Sequence, residues 1–98
     1  LHINRQNNRG KLEMFADRII SFGHKLEGKL DQGLLEGALD YIKFNEEPLA
    51  FEILCDHICE YDVNLSHAEY DEVMVLAKDM GVDVSEAPYK YMKELIIS

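Results

Sequence analysis

Apolar residues recur at helical spacing along almost all of this chain, and no stretch alternates with period two over a useful length. That pattern predicts an all-α fold, a compact bundle of about five helices. The stretch that organises the rest is Asn45–Asp62, N-E-E-P-L-A-F-E-I-L-C-D-H-I-C-E-Y-D. On a helical wheel Ala50, Phe51, Leu54, Cys55, Ile58 and Tyr61 form one broad apolar face. Glu52, Asp56 and Glu60, each four residues apart, form an acidic stripe. Leu49 and Ile53 fall beside the stripe rather than on the apolar face. Either this helix is packed on two sides, or a partner covers that edge.

The other helices follow from the same period. Residues 1–8 lack it and are expected to be a frayed or extended start, with Asn8 as a cap. Leu12, Phe15, Ile19, Phe22 and Leu26, with Ala16 and Ile20 beside them, make a first stripe that Gly28 should terminate. A second helix is expected from about Leu30 to Phe44, with Leu30, Leu34, Leu35, Ala38, Leu39, Tyr41 and Ile42 inward. Gly33 and Gly37 lie four apart on it, a spacing that fits a close helix crossing. Asn45 can end that helix and cap the central one, while Glu46 and Glu47 favour a helix start and Pro48 is tolerated in a first turn. Ser66-His67-Ala68-Glu69 fits a capping box, with Leu65 as a staple against Tyr70. Tyr70, Val73, Leu76, Ala77 and Met80 face inward on that helix, and Gly81 stands where a terminating glycine belongs. Ser85-Glu86-Ala87-Pro88 opens a last helix with Tyr89, Met92, Leu95 and Ile96 on its apolar side.

At 98 residues and 47% hydrophobic, the chain suits one small domain, residues 1–98, with its own core, and is not expected to be disordered. No apolar run reaches membrane-spanning length and no secretory signal is present, so no membrane contact is expected. Cys55 and Cys59 sit four apart on one helix, where a disulfide would distort the backbone. Two free thiols fit a reducing compartment, and the chain reads as cytoplasmic.

Charge is unevenly placed. Between Asp31 and Glu86 there are fifteen acids and two bases, Lys43 and Lys78, a net of −13. Residues 1–30 carry six bases and three acids, a net of +3. Nucleic acid and anionic membranes are repelled by such a middle, whereas a basic protein is drawn to it.

Chemistry is poorly supplied. Cys55 and Cys59 offer half a zinc site, but His57 points away from them and no second pair follows, so both thiols read as core and no metal is expected. No nucleophile elbow, triad order or phosphate-cradling glycine loop occurs. No enzyme activity, cofactor or small-molecule substrate is expected. Tyr61 and Tyr70, each set in E-Y-D, suit a binding surface, yet the wheel turns both rings mainly inward.

The run A-L-D-Y-I-x-F-N-E-x-x-L-A-F-E-x-L-C-D-x-I-x-E-Y-D, then L-S-x-x-E-Y-D and M-G, spans Ala38 to Gly81. It resembles the MafI-type immunity proteins and is similar to the helical CdiI immunity proteins of contact-dependent growth inhibition. The resemblance implies a small cytoplasmic antidote that binds the C-terminal toxin domain of a delivered protein, often a nuclease. The expected function is therefore an immunity protein bound one-to-one to a cognate basic toxin, an RNase by preference. The alternative is a helical adaptor or regulatory subunit for another basic partner, or a self-associating bundle. The expected contact residues are Leu49, Glu52, Ile53, Asp56, Glu60 and Asp62, with Asp71, Glu72 and Asp79 as a second acidic cluster.

Overall fold

The computed structural model describes residues 2–97, with side chains over 14–97. It is all-α. Five α-helices follow one another: α1 (His2–Lys25), α2 (Gln32–Asp40), α3 (Glu47–Glu60), α4 (His67–Asp79) and α5 (Tyr89–Met92), with 3-10 turns at Tyr41–Phe44 and Lys93–Leu95. Among the described residues there is no strand, only isolated bridges such as Leu65 to Ile96. No helix among them is long and apolar enough to cross a membrane.

The α3 helix is the spine, packing against α1, α2 and α5. Ala50, Phe51, Leu54, Cys55 and Ile58 are fully buried, as its wheel requires. Ile19, Phe22 and Leu26 of α1 meet them in one core with Leu35 and Ala38 of α2, Val73, Leu76 and Ala77 of α4, and Tyr89 and Met92 of α5. Tyr61 departs from the expected inward position and is 55% exposed. The reason is local: α3 ends at Glu60, and Tyr61 takes φ −103° and ψ 13°, off the helical path. Asp62 then turns the chain with φ +48°.

Other boundaries also moved. Helix α1 begins at His2, so the stretch expected to be extended is helical and Asn8 is no cap; the Leu12 side chain lies outside the described ones. Its last turn carries Lys25, a cation where the helix dipole favours one. Helix α2 is capped by Asp31, whose side chain accepts a hydrogen bond from the Leu34 amide, and tightens into the 3-10 turn at Tyr41. Tyr41, expected inward, is exposed. Asn45 does not cap α3. It adopts φ +62°, a left-handed conformation asparagine tolerates, and closes the 3-10 turn, which leaves Glu46 at the start of α3.

The close crossing lies elsewhere than expected. A Cβ at Gly37 would meet nothing within 4 Å, whereas one at Gly23 would stand 3.2 Å from Leu39 Cδ1. Gly23 is thus where α1 and α2 approach. The α4 capping box forms as read: Ser66 Oγ accepts from the Glu69 amide at 3.1 Å, and the Ser66 amide donates to Glu69 Oε1 at 2.8 Å. Gly81 follows with φ +79°. The last helix starts late, at Tyr89, because the residue before a proline avoids helical angles. The C-terminal end is pinned by backbone bonds from Leu65 N to Leu95 O and from Ile97 N to Leu65 O, both 2.9 Å.

Candidate protein-binding face

The charged residues sort themselves by which helix lies opposite. Helix α1 packs on α4, and its basic residues meet the acids there. Arg18 pairs with Asp79 at 3.0 Å, Lys25 with Glu72 at 2.6 Å, and Lys29 in the following turn with Glu69 at 2.8 Å. Pairs this exposed contribute little to stability. Their consequence is electrostatic: Glu72 and Asp79 are already matched within the chain. Of the second expected cluster, only Asp71 is exposed without an ion pair among the described residues.

The α3 stripe is different. Glu52, Asp56 and Glu60 are all exposed, and none has an ion pair among the described residues. Asp62 continues the line past the helix end and accepts a hydrogen bond from the Tyr91 hydroxyl at 2.7 Å. Leu49 remains 36% exposed at the edge of the stripe. Ile53 is half-buried and packs on the core, so α3 is indeed covered on more than one side.

The segment running into α5 lies along this stripe. The Cys59 thiol donates to the Pro88 carbonyl at 3.3 Å. Burial, with Asp56 and Asp62 nearby, pushes the Cys59 pKa up to about 11. Burial raises the Cys55 thiol as well, reinforced by Cys59 and Asp56. Both thiols therefore stay protonated at neutral pH and neither is an activated nucleophile. Burial also raises the Tyr89 hydroxyl, with Cys55, Glu52 and Asp56 adding to it. The Tyr91 hydroxyl is raised by its bond to Asp62. Tyr89 lines a recess with Glu52 of α3, and Tyr91 bonds Asp62 just past the helix end. Among the described residues, no three histidine, cysteine or carboxylate side chains gather as a metal would require.

Spacing alone identified the acidic stripe of α3. It missed Tyr91, which joins that stripe only because the C-terminal segment folds back on α3. It also missed Asp83, which lines a recess with Glu52 at the start of the helix. The pattern Asp83-x-Ser85 was the available signal, since it commonly makes a side-chain turn. Ser85 N and Oγ do bond Asp83 Oδ1, at 2.9 and 2.7 Å. No family profile, characterised protein or solved structure matches this chain.

Proposed function

We propose that this chain is an immunity protein, a cytoplasmic inhibitor that binds one basic toxin domain one-to-one through the α3 face. An RNase is the preferred target, because nuclease sites are basic where they hold phosphates. One observation carries the reading. The basic N-terminal region pairs with Glu69, Glu72 and Asp79 of α4 but leaves Glu52, Asp56 and Glu60 exposed and without ion pairs among the described residues. Four carboxylates along one line, Asp62 included, present charge in the way a phosphate backbone does. Leu49 and the exposed Tyr61 supply apolar contact beside them. The Ala38–Gly81 resemblance to immunity proteins points the same way and includes all of α3.

The test is to look for a secreted protein with a variable C-terminal domain encoded next to this gene, and to co-express that domain with this chain. The wild-type chain should protect the cell and co-purify with the toxin. The double variant Asp56→Lys/Glu60→Lys should slow association by about tenfold or more at low salt, since charge complementarity acts mainly on encounter. Both positions are exposed on the helix surface, so the fold should survive. Full protection with unchanged association by this variant would remove α3 as the contact face.

A further inference from the structure

At the start of α3 the acidic stripe runs into a recess of about 270 Å³. Its walls are Pro48 and Glu52 of α3 and Val82, Asp83, Pro88 and Tyr89 of the segment that folds back. That volume lies below the roughly 300–1,000 Å³ of sites that enclose small molecules, and suits one long side chain. Two proline rings and a buried tyrosine make the walls stiff and apolar. Two carboxylates from different elements stand among them, and no basic residue lines the recess. Asp83 is fixed in place, because both hydrogen bonds from Ser85 fall on Oδ1. Those bonds also hold its carboxyl below the usual range, so it is ionised at neutral pH. A larger groove of about 450 Å³ between α1 and α2 lacks this asymmetry. Its Asp40 is paired with Lys43 at 3.2 Å, and His24 shares the lining with Glu36.

We propose that the recess is a socket for one arginine side chain of the basic protein partner. Its methylenes would lie against Pro48, Val82 and Pro88, and its guanidinium would be shared by Glu52 and Asp83. Arginine fits better than lysine on physical grounds. Its head is planar and weakly hydrated, and its several fixed donors can serve two carboxylates at once. Its stem is apolar enough to seat on proline and valine. This assignment rests on the reading that the α3 face meets a basic protein.

The experiment titrates the isotope-labelled full chain with a nonapeptide of arginine, and with matched lysine and citrulline peptides, following backbone amide resonances. The arginine peptide should shift residues 82–89 and the start of α3 first, and should bind more tightly than the other two. Glu52→Gln/Asp83→Asn should weaken it by about tenfold, the loss expected of a charge-assisted hydrogen bond. Glu36→Gln/Asp40→Asn, at the other groove, should leave it unchanged. The single variant Glu52→Gln alters an exposed side chain and serves if the double variant loses its native spectrum. If Glu52→Gln/Asp83→Asn binds like wild type while Asp56→Lys/Glu60→Lys does not bind, the socket is wrong and the α3 face stands. If no basic peptide shifts α3 at all, both fall. Equal seating of the citrulline or lysine peptide would also overturn the assignment to arginine.

Discussion

Cys59 sits where the α3 stripe meets the returning chain, and its chemistry is set by its neighbours. Its pKa moves from the ordinary 9.0 to about 11 because burial and the charges of Asp56 and Asp62 disfavour the thiolate. The thiolate fraction at neutral pH should fall about a hundredfold relative to the unfolded chain. The thiolate that remains is the more nucleophilic for its higher pKa, so a disulfide reagent should label Cys59 in the native chain about tenfold more slowly than in urea. Comparable rates would show that the thiol is not held against Pro88. Asp56 is three residues away on the same helix, so that part of the effect was visible in the spacing. The hydrogen bond to Pro88, twenty-nine residues on, was not. Tyr61 shows the converse: its place on an ideal wheel was correct, but the helix stops one residue short of it.

At the scale of elements, α2 and α4 make a useful contrast. The start of α4 was legible because a capping box is a local device, and Ser66 and Glu69 bond each other without help from the rest of the fold. The glycines of α2 were harder to read. Spacing suggested a crossing at Gly33 and Gly37, but Gly37 faces open space and the crossing is at Gly23. Gly37→Ala should therefore stabilise the chain by about 0.5–1 kcal/mol, since it removes a helix-interior glycine and meets no obstacle. Urea unfolding measures this, and a loss of stability would mean that α2 is packed on its exposed side. Gly33→Ala should not show the same gain, because the new methyl would stand 3.1 Å from the capping oxygen of Asp31. Helix α5 was mistaken at its start for a similar reason: proline can open a helix, but here Pro88 stands just ahead of it.

For the whole molecule, the groups that titrate upward predict its response to base. The native state holds the protons of Cys59, Cys55 and Tyr89 more tightly than the unfolded chain does, chiefly through burial. The Cys59 contribution is fully present below the ordinary thiol pKa of 9.0 and is lost as pH climbs from there toward about 11, while Cys55 and Tyr89, raised further, carry the decline to higher pH. The thermal midpoint should be level below that window and decline within it. Cys59→Ser keeps a donor for Pro88 but does not titrate there, and should make the decline shallower. A midpoint that rises with pH in this range would contradict the assignment. From the sequence by itself came the helical class, the apolar face of α3, the capping box of α4 and the acidic middle of the chain. The first three depend on residues within a turn or two of each other, where period and propensity act, and the last is a matter of composition. Only the tertiary structure decided which acids remain available, because ion pairs such as Lys25 with Glu72 and Lys29 with Glu69 join residues 47 and 40 positions apart. Helix packing, not spacing, brings those partners within reach. The same packing lays Asp83 and Tyr91 beside the stripe that Glu52, Asp56 and Glu60 had already marked.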